Sequence, residues 1–445
     1  MKVINNLIKI TLLITTAIIS QACTSQQPKT CTLSEQKLAN APILIKDIVF
    51  EDENLKNAIL ENAVEYHYEK VSDVNYLHMS DKGIKTAKEI AYFTNLEDLE
   101  ISKNELTCLD VSKNIKLKEL SVDNNKLTNL NLSNLDKLKK LEASFNQLTH
   151  VDISQNIALT LIDLQSNTLE KLDVSKNTKL ESLTLYNNMQ LTSFNVTKNI
   201  KLTWLSIGSN KIKEIDLTNN KLLEYFGAGY NELYEVDFSN CTLLKTLNVS
   251  NNKLKTIDVT KLLKLKSINI AYNQISEIDI ANNTQLEYLA IDRNKIKTLN
   301  VDNHVYLEEI SANDNQLMSL STINNPKLEK LELNNNKLKS IDLSNNLFLD
   351  KISLDNNNIK SLDLSKNNKL NYILARKNGL THIKLADSMY LHLLGLGGNK
   401  LTELNIPKNT IFDKLWITKN PLNRMTKENL NLIVKENPNC VILME

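Results

Sequence analysis

The chain is expected to fold as a mainly β solenoid, on the α/β side of that class, with about sixteen coils, short strands on both sides and small helical caps. Three observations predict it. A 21-residue pattern restarts sixteen times between Leu96 and Phe412. Within each unit apolar residues hold fixed places, and the ninth position is Asn in all sixteen. The 445 residues also include only 8 Gly and 6 Pro, far below the roughly 7% and 5% of ordinary chains. Hydrophobic residues still make up 42%, enough for a core, so disorder and collagen are excluded. The glycine shortage argues against Rossmann, P-loop and large-barrel folds, whose turns depend on that residue.

The first segment stands outside the fold. Lys2 and Lys9 flank a short apolar run, residues 10–19, too short to span a bilayer and legible as a signal peptide covering 1–22. It ends in Ser20-Gln21-Ala22-Cys23. Ser and Ala suit ordinary signal peptidase, while Cys after a small residue resembles a bacterial lipobox, with Ser20 where Leu is usual. The lipoprotein reading is favoured because the polar stretch after Cys23 suits a tether, taken here as residues 23–42. Lipidation at Cys23 would attach the chain to a membrane through two or more acyl chains. The expected location is an outer-membrane lipoprotein, facing the cell surface or the periplasm, or a secreted protein if Cys23 stays unmodified. Residues 1–22 carry two Lys and no acid, so the net charge falls from +1 to −1 on their removal. That leaves no overall basic excess for nucleic acid or an anionic membrane. Cys31, Cys108, Cys241 and Cys440 show no CxxC spacing and read as isolated apolar residues or thiols.

Residues 43–95 form the expected N-terminal cap, with a helix over 54–65 and a lead-in over 84–96. In the solenoid, 96–422, positions 1, 4, 6 and 11 of each unit are apolar, as in Leu328, Leu331, Leu333 and Leu338. Alternation at 4 and 6 marks a strand with positions 3, 5 and 7 facing outward. The second half reads Leu-Asp-Leu-Ser-x-Asn and predicts a second extended segment. One extra residue, at Met189 and Gln190, predicts a bulge. The position-9 Asn can satisfy loop amides and tolerate turn conformations, which would replace glycine. Each unit buries its apolar residues only against its neighbours, and sixteen coils at about 4.8 Å make a rod or arc of about 75 Å. In the C-terminal cap, 423–445, Thr426 is expected to start a helix reaching about Lys435, with residues 441–443 pairing on the last strand.

The motif LxxLxLxxNxLxxLDLxxNxx, over roughly residues 96–422, resembles the nested 21-residue class of bacterial leucine-rich repeats, and the repeat region resembles internalin-like adhesins and scaffolds. The resemblance implies partner binding on the outward face of the main strands. The cap segment 71–76 lacks the Gly and later acids of the calcium-type motif seen in similar proteins, so calcium is not carried over.

Catalysis fares poorly on these residues. His67, His78, His150, His304, His382 and His392 are scattered and are expected at the surface, and the 21-residue register brings no nucleophile and base together. The Gly runs at 227–229 and 395–398 fall on strand positions without a following helix, so they do not read as nucleotide loops. A column of Asp, including Asp152, Asp216, Asp258 and Asp363, shares one outward register position and is expected to cap loops rather than bind calcium. No enzyme, metal or cofactor is expected. The outward face is more informative. It begins acidic, with Asp98, Glu100, Glu119, Asp123, Glu142 and Asp163. It then carries Tyr186, Trp204, Tyr225, Tyr230, Tyr272 and Tyr288 beside Gly and Ala, and later Tyr372, Arg376 and Trp416. Aromatics with Arg are the usual hot-spot types, and rings beside hollows also suit sugars. The expected partner is a protein, with a glycan as the alternative. The chain is expected to be monomeric and to bind no nucleic acid.

Overall fold

The computed structural model describes residues 32–387, 390–407, 410–436 and 441–443. The signal segment and Cys23, Cys31 and Cys440 lie outside the described residues. Coil 1 starts at Leu96, and positions are counted from the first Leu of each coil.

Positions 3 to 5 of every coil form a strand, from Asp98–Glu100 to Ile411–Trp416, the last two strands being longer. These strands stack parallel and in register into one sheet of 18, as in Leu289 opposite Ile310. The two extra strands are Tyr76–His78, which pairs with coil 1, and Val441–Leu443, which pairs with coil 16. These strands cover the edges of coils 1 and 16, and at the first end the Asn62 side chain bonds the His78 backbone in turn. A helix, Glu53–Glu65, packs under the first edge and is capped by Asp52, whose carboxylate accepts the N–H groups of Asn54 and Leu55. A shorter helix, Glu35–Ala39, precedes it, capped by Ser34. At the other end the helix is Arg424–Glu436. Asn423, not Thr426, is its cap: the Asn423 side chain accepts the N–H of Thr426 at 2.9 Å.

One continuous apolar core runs from Ile45 to Leu430. In coil 12 the residues at positions 1, 4, 6, 11 and 16, Leu328 to Leu343, are at most 1% exposed. On the second side, strand pairing among the described residues is confined to Cys108–Asp110 with Asn129–Asn131 and Ser361–Asp363 with His382–Lys384. In most coils the position-15 Asp or Asn also closes a local turn, accepting the N–H of position 17, as Asp173 does from Ser175 at 2.8 Å, and Asp110 and Asp363 do the same within the paired strands.

The tight turn after each main strand differs from the sequence expectation. The left-handed backbone conformation lies at position 8, one residue before the Asn, in all sixteen coils. Its occupants range from Lys103, Phe145 and Ser166 to Tyr230, Arg293 and Asp314, and only Gly398 is glycine. No Val, Ile or Thr stands there. Each non-glycine residue in this region costs on the order of 1 kcal/mol.

The position-9 Asn offsets that cost through hydrogen bonds to two coils. Asn125 donates to the Ile101 carbonyl of the preceding coil at 3.0 Å and to Val122 and Asp123 in its own. Its Oδ1 accepts the Leu106 N–H of the preceding coil at 3.0 Å. The pattern repeats with Asn294, which receives Ile275 and donates to Ile270, Ile291 and Asp292. Where the extra residue enters coil 5, Met189 bulges outward, and Asn210 accepts from the Asn188 N–H instead.

A second Asn column, at position 19, is buried more deeply. Asn283 donates to the carbonyls of Val259 and Leu262 in the preceding coil. Its Oδ1 accepts nothing, and the same holds for Asn114, Asn156, Asn177, Asn199, Asn220, Asn325 and Asn367. Asn346 is the exception, because Thr322 stands at position 16 of the coil before it and donates its hydroxyl at 2.8 Å. In the other coils an apolar side chain occupies that place, Phe238 in coil 7 and an aliphatic one elsewhere.

Two outcomes follow for stability, read from urea midpoints. Val259→Thr or Val301→Thr, which supply a hydroxyl to Asn283 or Asn325, should be neutral or stabilising, whereas Val249→Thr at position 6 should cost about 1–2 kcal/mol. Equal losses at all three sites would contradict the position-16 geometry. At position 8, Ser209→Gly should raise stability by about 1 kcal/mol and Ser209→Val should lower it.

Candidate functional site

The main sheet turns positions 3 and 5 outward, and positions 7 and 8 extend that face toward the turn. In coils 6 and 7 the position-3 residues Trp204 and Tyr225 are opposite one another in register. Their rings stack at 3.7 Å between centroids with 5° between planes. Trp204 is 43% exposed, and Tyr225 is half-buried, its hydroxyl pKa raised by that burial.

The neighbouring glycines do not leave the hollows expected from sequence. A Cβ on Gly227 would stand 2.7 Å from the Tyr225 hydroxyl, and one on Gly208 would stand 2.9 Å from the Tyr186 ring. Glycine here lets the rings of Tyr186 and Tyr225 approach the backbone closely. The patch is thus a filled aromatic surface.

The remaining central aromatics are not all joined to it. Tyr230 is exposed at the turn edge of coil 7. Tyr272 holds the Arg293 guanidinium 4.8 Å from its ring centre. Tyr288 lies at position 3 of coil 10, with Thr246 and Ser267 in register between it and Tyr225. At a strand spacing of about 4.8 Å it stands about 14 Å from Tyr225.

The C-terminal group is built on ion pairs. Arg376 binds Asp355 through Nε at 2.8 Å and Nη2 at 2.5 Å, and its guanidinium lies 5.7 Å from the Trp416 ring centre. That carboxylate keeps the Arg376 pKa above its ordinary value. Tyr372 carries Lys351 at 5.2 Å, and Lys351 pairs with Glu332 at 2.6 Å. Leu374 fills the space beside Gly395. A hollow does persist here: a cleft of about 330 Å³ is bounded by Arg376, Lys377, Gly397, Gly398 and Thr418.

Sequence reasoning missed what precedes this group. Position 7 of coils 10 to 14 reads Asp292, Asn313, Asn334, Asp355, Arg376. Asn313 donates to Asp292 at 2.7 Å, Asn334 donates to Asn313 at 2.8 Å, and the Asp355 N–H donates to Asn334 at 2.8 Å. The run of amide and carboxylate residues at one register position was the available signal. A cleft of about 600 Å³ on the second side, lined by Phe194, Glu214, Asp216, Glu235 and Asp237, had no such signal.

The acidic start of the face is partly desolvated. Burial raises the pKa of Asp163, with Asp123 and Glu142 adding repulsion and the Gln165 N–H opposing it. Asp123 is raised in the same way, against hydrogen bonds from Ser144.

Two residue readings change. His304 is buried, not at the surface: it replaces Asn at position 19, and its Nε2 lies 3.0 Å from the Ile280 carbonyl oxygen. Cys108 is disulfide-bonded rather than isolated. Cys241 is free and buried, and burial pushes its thiol up to about 11. In the Asp column, Asp152, Asp216 and Asp258 accept local hydrogen bonds that lower their pKa values. Among the described residues no three His, Cys, Asp or Glu converge as a metal site would require.

The fold is that of the leucine-rich repeat solenoids, and the structures it resembles include bacterial ones. The functional domain of InlJ from Listeria monocytogenes, which includes a cysteine ladder, matches with a TM-score of 0.73 and 28% identity, over 79% of this chain and 82% of that one. An internalin, InlF, from the same species matches at 0.60 and 25%, over 75% and 98%. YopM from Yersinia enterocolitica matches in fold at 0.66 and 22%, over 88% and 83%. No family model matches the chain, and no curated protein matches it.

Because the Asp163 carboxylate is raised in the folded state, its charge opposes folding at neutral pH, and stability rises as pH falls through that pKa. Asp163→Asn, which retains an acceptor for Gln165, should therefore raise the thermal midpoint at pH 7. The gain should shrink toward pH 4, and a lower midpoint at pH 7 would contradict the assignment.

Proposed function

We propose that the chain is a non-enzymatic binding protein of the cell envelope, adhesin-like, which recognises a protein partner on the outward face of its main sheet. The observation that carries this reading is the stacked pair of Trp204 and Tyr225. Two large rings already fixed against each other and against glycine backbone lose little freedom on binding. The similarity to InlJ and InlF supports a repeat scaffold used for binding. Signal removal before Cys23 and lipidation there would hold the molecule at a membrane. The mechanism is recognition by a preformed surface with no covalent step.

A second reading, a carbohydrate or cell-wall ligand, is favoured by the exposed Trp204 and by the cleft beside Arg376 and Trp416, since sugars stack on flat rings. A plain spacer is the third.

The test is a pull-down from host and bacterial lysates with wild type and Trp204→Ala/Tyr225→Ala, alongside retention on polysaccharide. A protein ligand on this patch should be captured at least about tenfold less by the double variant, the loss typical of a central hot spot. Loss confined to polysaccharide would select the glycan reading. Identical capture by both proteins would remove the central patch from the account.

A further inference from the structure

Net charge conceals how the lysines are distributed. The turn that returns each coil from its second side to the main strand spans positions 18 to 21 and forms one long edge of the solenoid. In coils 1 to 13, positions 18, 20 and 21 hold thirteen Lys and a single acid, Asp136. All thirteen are exposed, and none takes part in an ion pair among the described residues. Some lysines elsewhere are paired between coils, as in Lys118 with Glu97 and Lys253 with Glu232. The opposite edge, at positions 10, 12 and 13, mixes eleven Lys with six acids over the same coils.

The same edge exposes aliphatic side chains at regular intervals. Position 20 is Ile115, Ile157, Ile200, Leu263, Val305 and Leu347 in coils 1, 3, 5, 8, 10 and 12, each 45–56% exposed. The fold does not require apolar residues there, because Asp136, Thr178, Thr242, Thr284 and Asn368 occupy that position in other coils. Tyr306 and Phe348 join the row at position 21, each with a lysine over its ring, Lys327 at 4.9 Å and Lys369 at 4.0 Å. The result is a ridge about 58 Å long, following the stack of coils, apolar at its crest and cationic on its flanks.

We infer that this ridge is a docking surface for an anionic phospholipid bilayer. Unpaired lysines supply the complementary charge. The aliphatic crest separates a bilayer from a polyanion, because only the boundary between headgroups and acyl chains rewards burying such side chains. A ridge repeated coil after coil suits an extended surface and leaves the outward face of the sheet, at positions 3, 5, 7 and 8, open to a partner. The inference is independent of what that face binds.

Vesicle co-sedimentation of the full chain tests it, comparing phosphatidylcholine alone with phosphatidylcholine containing about one-third phosphatidylglycerol. The reference is wild type. One variant is Lys198→Glu/Lys201→Glu/Lys261→Glu/Lys264→Glu, a second is Ile157→Ser/Ile200→Ser/Leu263→Ser, and a control reverses Lys295, Lys297, Lys337 and Lys339 on the opposite edge. The first should lose the phosphatidylglycerol-dependent binding at least about tenfold, the second about threefold or more, and the control should retain it. All sites are exposed, so thermal midpoints should match wild type and a folding failure would be visible. Loss in the lysine variant with full retention in the serine variant would overturn the bilayer in favour of a polyanion. Retention by both, or equal loss in the control, would overturn the ridge altogether.

Discussion

The structure depends on the hydrogen bonding of one asparagine per coil. A chain that must reverse every 21 residues with almost no glycine leaves turn amides and carbonyls buried between neighbouring coils, and buried backbone groups must be paired. The position-9 side chain meets that requirement in both directions, donating to its own coil and to the previous one while accepting from the previous one. Because these bonds over-determine the turn, position 8 can hold a left-handed conformation in residues as large as Phe145 and Tyr230. The extra residue at Met189 shows the same constraint, since the chain bulges and the acceptor Asn210 is retained with a different donor.

A scaffold fixed from inside leaves its outside free to vary. Positions 3, 5, 7 and 8 make no demand on the core, so they can be acidic in coils 1 to 4, aromatic in coils 5 to 7 and an amide ladder in coils 10 to 14. Those side chains nevertheless arrive with their geometry set by the sheet. Trp204 and Tyr225 stack because parallel in-register strands place them about 4.8 Å apart. Arg376 is held by Asp355 because position 7 of one coil faces position 7 of the next. The back edge uses the same freedom differently, with lysine and aliphatic residues at turn positions that the core does not constrain.

Much of this was legible in the sequence. Strict period and apolar positions led directly to the solenoid, the buried set and the register of the outward face, because each is a consequence of repetition. The caps were legible from their helical stretches, although Asn423 rather than Thr426 starts the last helix. What escaped were effects of neighbours. Glycine beside tyrosine reads as a hollow in one dimension, yet the ring of Tyr186 reaches across a coil to fill the space at Gly208. His304 reads as a surface histidine until its register position shows it standing in a buried asparagine column. The left-handed residue was misplaced by one because asparagine both tolerates that conformation and supports it in an adjacent residue, and only the backbone distinguishes the two.

The claim that each coil is closed by the asparagine of the next is tested most directly by native-state hydrogen exchange in Asn294→Ala. The Ile275 N–H, whose acceptor is Asn294, should lose its protection, while the Leu127 N–H, held by Asn146 seven coils away, should exchange as in wild type. Unchanged protection at Ile275, or an equal loss at both amides, would contradict the account.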